Sequence, residues 1–139
     1  MRLLRTGLPL LLALLVLSGC AAAKVDRNNA LEQVQYAYSA AIRWGDFEGA
    51  WTLVDPAYRA VHPMTELEFE RYKQVQISGY HDLGAQVGDG VASRQVEIGV
   101  INRNTLVERQ AHYLEQWRYD PVAKAWWVES GLPDLWQSQ

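Results

Sequence analysis

Two charged residues fall where a β-strand would turn them toward a core. Between residues 106 and 119 the alternate positions form two sets. One is Val107, Arg109, Ala111, Tyr113, Glu115, Trp117 and Tyr119; the other is Leu106, Glu108, Gln110, His112, Leu114, Gln116 and Arg118. Successive side chains of a strand point to opposite faces. The first set is the more apolar and aromatic, so it belongs on the covered side. Arg109 and Glu115 would then both face inward, about 20 Å apart along the strand and too far to pair. A buried carboxyl without a partner resists ionisation, which is what a general acid or base requires. Glu115 is therefore the candidate acid/base of this chain, with Arg109 a second inward charge and Tyr38 and Tyr113 the candidate hydrogen-bond donors.

Other chemistries find less footing. His62, His81 and His112 have no closely spaced metal-ligand partner, and Cys20 is the only cysteine. No Ser or Cys nucleophile elbow and no Gly-rich phosphate loop before a helix is present. Gly88-Asp89-Gly90 reads as a turn. No metal and no cofactor is expected.

The elements that must position these residues follow in order. Asp26 or Asn28 can cap a first helix, whose apolar stripe is Leu31, Val34, Tyr38, Ala41 and Ile42. Gly45 suits its C-terminus and Asp46 the N-cap of a second helix, with Phe47, Ala50, Trp51 and Val54 inward and a stop near Asp55-Pro56. Tyr58 and Val61 either continue that helix beyond a kink or lie on a short turn. Thr65-Glu66-Leu67-Glu68 is a capping box, opening a third helix with apolar positions Leu67, Phe69, Tyr72 and Val75. From Ile77 the period becomes two. Strands are expected over Ile77–Val87, Val91–Ile101, Leu106–Tyr119 and Ala125–Ser130, and the tail Leu132–Trp136 folds back. Trp126 and Trp127 must point to opposite faces, one into the core and the other toward the tail, a partner or solvent. This order gives an α+β fold, three N-terminal helices on one face of a curved antiparallel sheet of about four strands. Long strands curl under their own twist, and a curled sheet closed by helices makes a cone with a cavity.

The chain has 139 residues, a formal charge of −3, six Trp and seven Tyr. That is enough for one packed domain without staples. No basic run suited to phosphates occurs, so nucleic acid is not an expected partner. Arg2 and Arg5 precede an apolar run from Leu8 to Leu17, too short to span a bilayer, which needs about 20 apolar residues.

That run ends in Leu17-Ser18-Gly19-Cys20, which resembles the lipobox of bacterial lipoproteins. The resemblance implies a signal peptide over Met1–Gly19, a diacylglycerol on Cys20, acylation of the new amino terminus and a short tether over residues 20–27. Several acyl chains at about 0.8 kcal/mol per buried CH₂ give a stable anchor. Ala21, in place of an Asp, implies outer-membrane destination facing the periplasm.

Gly45-Asp46-Phe47-Glu48-Gly49-Ala50-Trp51-Thr52-Leu53-Val54-Asp55-Pro56 resembles the helix-turn-helix opening of the NTF2-like superfamily. This implies a cone-shaped NTF2-like domain over Asn28–Gln139. Ketosteroid-isomerase-like members use a strand carboxylate as base and a Tyr plus a protonated acid as oxyanion donors; the resemblance implies Glu115 for the acid/base and Tyr38 or Tyr113 for the Tyr.

The expected function is that of a non-catalytic, periplasm-facing lipoprotein held through Cys20 and binding an envelope protein partner or a small apolar ligand. The alternatives are an isomerase or hydrolase using Glu115, or a structural subunit of a secretion or envelope-assembly apparatus. A homodimer through the sheet is a further possibility.

Overall fold

The computed structural model describes the backbone over residues 4–137 and the side chains over residues 19–137. The chain forms two compact units, Met1–Gln33 and Val34–Gln139. Helix α1, Leu4–Trp44, is one uninterrupted element. It begins well upstream of Asp26 and Asn28, which lie in its interior, and the expected tether is helical. Ala21, Ala22, Ala23 and Lys24 just before Asp26 are strong helix formers, so Asp26 and Asn28 meet a chain that is already helical. No helix among the described residues is long and apolar enough to cross a membrane. The expected signal peptide, save Gly19, lies outside the residues whose side chains are described.

Within the second unit, Tyr38 and Ile42 of α1 are fully buried. Gly45 ends the helix at φ 76°, a conformation costly for any residue with a Cβ. Its N–H reaches Ile42 O at 3.0 Å and that of Asp46 reaches Ala41 O at 2.8 Å, the paired bonds of a Schellman end. Asp46 then caps α2, Phe47–Thr52, accepting the Gly49 N–H at 2.8 Å. Asp55 caps a separate helix α3, Pro56–Val61, with Pro56 in the first turn, where its missing N–H costs nothing. Helix α4, Glu66–Tyr72, carries the full Thr65/Glu68 capping box. The expected three helices are therefore four. Leu67 is 79% exposed and not inward, and Val75 belongs to the first strand.

Four antiparallel strands form one sheet in chain order: β1 Val75–Val87, β2 Val91–Asn102, β3 Glu108–Asp120 and β4 Ala125–Val128. Its covered face is lined by Ala92, Val96, Ile98 and Val100 of β2 and by Ala111, Glu115 and Trp117 of β3. Val107 precedes β3 and is exposed, so it drops out of the inward set. The open edge of β4 is closed by the chain between α2 and α3: Val128 donates to Leu53 O at 3.0 Å and receives the Asp55 N–H at 2.8 Å. Strand β1 forms the other edge, with irregularities between Ile77 and Gly79 and between Asp82 and Gly84. Such bulges bend an edge strand and shift which residues share a face. After β4 the chain returns without further strand pairing, burying Pro133 and Leu135 completely.

Arg118 of β3 donates through Nε (3.0 Å) and Nη2 (2.5 Å) to Asp55, tying the sheet to the start of α3. Burial alone would raise the Asp55 pKa. The Arg118 bonds and charge, with the Ala57 and Tyr58 N–H groups, outweigh it and hold the carboxyl below its ordinary range. A carboxyl with a depressed folded pKa adds stability above its unfolded pKa and loses it as pH falls through the folded one. Acid titration of stability should therefore show a loss below the ordinary Asp range that Asp55→Asn lacks. Urea melts should also find that Leu135→Ala loses about 2–5 kcal/mol, as fully buried Leu sites do, while Leu114→Ala on the exposed face changes stability by about 0.5 kcal/mol or less.

Candidate functional site

The register pairs Arg94 of β2 with Glu115 of β3 on the covered face. Glu115 is 0% exposed and, with Asp55, is one of two buried charged residues among the described residues. It is not alone. Arg94 grips it in a fork, Nε to Oε2 at 3.0 Å and Nη2 to Oε1 at 2.9 Å. The Trp117 indole N–H donates to Oε2 at 2.9 Å, and the Tyr80 hydroxyl of β1 donates to Oε1. Each oxygen thus accepts two hydrogen bonds, which fills the roughly four lone-pair positions of a carboxylate. Arg94 also reaches the Gln35 carbonyl of α1 at 3.5 Å and lies 4.0 Å from the half-exposed Asp82. Burial, then the Glu115 charge and hydrogen bond, push the Tyr80 phenol far up, so it stays a donor.

A second network lies beside it. The Tyr38 and Tyr113 hydroxyls are 3.0 Å apart and converge on Gly131 O, at 3.0 and 2.5 Å. Ser130 Oγ is 2.9 Å from the Tyr113 hydroxyl and accepts the Gln116 N–H at 3.2 Å. Burial is the main cause that raises both phenols, and each retains its proton. Tyr38 also meets Trp117 edge-on at 5.6 Å between ring centres.

The inward parity expected for Arg109, Tyr113 and Glu115 is the one observed, but their surroundings differ from the expectation. Glu115 has partners from three residues and no unengaged lone pair. Tyr38 and Tyr113 point at a backbone carbonyl and not at the carboxylate. Arg109 donates through Nη2 to Leu135 O, its Nε is buried without a hydrogen-bond partner, and it takes no part in the Glu115 cluster. Hollows of about 410 and 320 Å³ open by the β1–β2 hairpin and along β2 and β3, lined by Val87, Val91 and Trp117 in the larger and by Gln95, Tyr113 and Leu114 in the smaller. Of the four candidates only Tyr113 lines one of them; Glu115, Arg109 and Tyr38 line neither. Among the described residues no group of three His, Cys, Asp or Glu could hold a metal ion. Trp126 is buried, whereas the partly covered Trp127 has a buried Nε1 without a hydrogen-bond partner. Two of the residues that hold Glu115 escape a reading of the sequence. Arg94 shares the parity of Val96, Ile98 and Val100 and was in principle visible. Tyr80 was hidden by the bulges of β1.

Removing the charge at Glu115 while keeping its shape isolates what the cluster is worth. Glu115→Gln leaves the Arg94 guanidinium buried without its counter-charge, and chemical denaturation should show a loss of about 3–5 kcal/mol. A loss below about 1 kcal/mol would mean that Arg94 finds water instead.

No family model matches the chain, and no curated protein matches it. Solved structures of other proteins share its fold, two of them as follows. The solution structure of a SEC-C motif containing protein from Rhodopseudomonas palustris aligns with TM-score 0.55 at 16% identity, over 69% of this chain and 72% of that one. The crystal structure of a SEC-C motif containing protein from Psychrobacter arcticus aligns with TM-score 0.52 at 11% identity, over 73% of this chain and 59% of that one. At these identities the likeness concerns the fold alone. It overturns the recognition drawn from the sequence: the α+β order with a four-stranded antiparallel sheet stands, but the solved folds it resembles belong to SEC-C motif containing proteins and not to the NTF2-like superfamily. The comparisons offer no support for the lipobox resemblance. The Gly45–Pro56 stretch misled because a Gly helix end, an Asp cap and a Pro start are general helix punctuation, available to any fold that turns one helix into the next.

Proposed function

We propose that this chain is a non-catalytic, periplasm-facing envelope protein, held to the membrane through an acylated Cys20 and binding a protein partner through its folded second unit. The observation that carries the anchor is chemical. A single cysteine follows a basic start, a short apolar run and two small residues, Ser18 and Gly19, and no second cysteine exists with which it would pair. Cys20 is exposed, as a modified thiol must be. Ala21, in place of an Asp after the cysteine, supports an outer-membrane location.

The non-catalytic part of the proposal is supported by Glu115. A general base needs a lone pair facing a substrate, and both oxygens of this carboxylate are engaged by protein donors. A small apolar ligand is less well supported than a protein partner, because Tyr38, Ile98, Trp117 and Leu135 fill the covered side of the sheet with fully buried side chains. Partner binding then falls to segments and faces, and a bilayer enters as the anchor's solvent.

Fractionation of cells producing the full chain tests the anchor. The wild type should pellet with membranes and resist high salt, since acyl burial is not screened by ions. Cys20→Ser should appear in the soluble fraction. Salt-resistant membrane association of the serine variant would refute the proposal.

A further inference from the structure

The outer face of β1, β2 and β3 is left open by the second unit, and its centre is free of charge. Two rows run across it, Gly84–Gln95–Leu114 and Gln86–Ser93–Gln116. Leu83, in a bulge of β1, lines a hollow with Gln95 and Leu114 beside them. Titratable groups stand beyond these rows. Glu97 lies between His81 and His112 at one end, and Arg118 pairs with Val91 at the other. Leu83, Val91 and Leu114 are 56%, 54% and 47% exposed. A third hollow of about 330 Å³ shares Gln86 and Ser93 with the hollow of about 410 Å³, and Gln95 and Leu114 with that of about 320 Å³. One shallow trough therefore crosses the face. Along β1 every residue from Asp82 to Val87 is exposed, so this half of the strand has no packing on either side.

An uncharged centre within a charged rim is the anatomy of a protein–protein contact. The composition also selects the occupant. A two-fold contact sets a surface against its own copy, so a charge at its centre would meet its like. Gln and Ser avoid this, because each both donates and accepts hydrogen bonds and can pair with itself. The size agrees. At about 3.3 Å per residue and about 4.8 Å between strands, β1 to β3 present about 40 by 14 Å, or about 600 Å². Two such faces give about 1,200 Å², where stable interfaces begin, and the relief of the side chains adds to it. We infer that the outer face is where a second copy of this chain docks, sheet on sheet about 10 Å apart, with the two-fold axis near Gln95. Leu83, Val91 and Leu114 of each copy then fill the trough of the other. This rests on the reading of the second unit as a protein-binding domain and names its partner.

The test keeps the whole chain and removes its one native thiol with Cys20→Ser. This parent should sediment as a dimer at about 100 μM, where a contact of this size is occupied. Leu114→Arg puts a cation at the centre of the face, opposite its own copy. It should sediment as a monomer and keep the circular dichroism of the parent. A single new cysteine then locates the contact. A short bismaleimide should join Gln95→Cys to its copy at least tenfold more efficiently than Val122→Cys, a site 92% exposed in the turn between β3 and β4. A monomeric parent overturns the inference. A dimer that survives Leu114→Arg overturns it too, as does cross-linking at Gln95 no greater than at Val122, since either places self-association elsewhere. Each of these failures leaves the Cys20 anchor, which cell fractionation reads, and the binding of a different envelope protein untouched.

Discussion

A carboxylate that cannot reach water must be solvated by the protein, and at Glu115 this need draws together most of the second unit. Its four hydrogen bonds come from β1 through Tyr80, β2 through Arg94 and β3 through Trp117. Arg94 extends the set to the Gln35 carbonyl of α1. An ion pair of this kind is weak evidence for net stability, because desolvating both charges offsets much of their attraction. What it enforces is arrangement. A slip of one residue between β2 and β3 would send Arg94 to the opposite face and leave the carboxylate buried without its counter-charge.

Around that fixed point the polar groups of the covered face sort into two kinds. Those near Glu115 satisfy a charge. The others, Tyr38, Tyr72, Tyr113 and Arg109, satisfy carbonyls of a segment that makes no backbone ladder. Each Tyr is kept protonated by burial and so remains a donor across the physiological range. Such an array of donors satisfies buried carbonyls that no ladder reaches.

Much of this was readable from residue order, for physical reasons that can be stated. The alternation across 109–119 placed Glu115 and Trp117 on the covered face because one side of that strand is aromatic and the other polar. Gly45, Asp46 and the Thr65/Glu68 box marked helix ends because caps are local. What the residues could not give was pairing. The partners of Glu115 depend on register, and the bulges near Ser78 and Leu83 move Tyr80 onto the covered face of an otherwise weakly patterned strand. Asp55-Pro56 looked like a stop and is a start, since Pro in a first turn serves either role. The family suggested by the Gly45–Pro56 turn failed because that turn encodes a helix junction and nothing about the sheet beyond it.

The measurement closest to the central claim is a double-mutant cycle in denaturant, combining Glu115→Leu with Arg94→Met. If the buried carboxylate and its guanidinium organise the covered face together, either single change strands a charge and the pair of changes removes both. The double variant should then lose clearly less than the two single losses added, with a coupling of about 1–3 kcal/mol. Additive losses, with coupling near zero, would show that Arg94 and Glu115 act independently and would contradict the account.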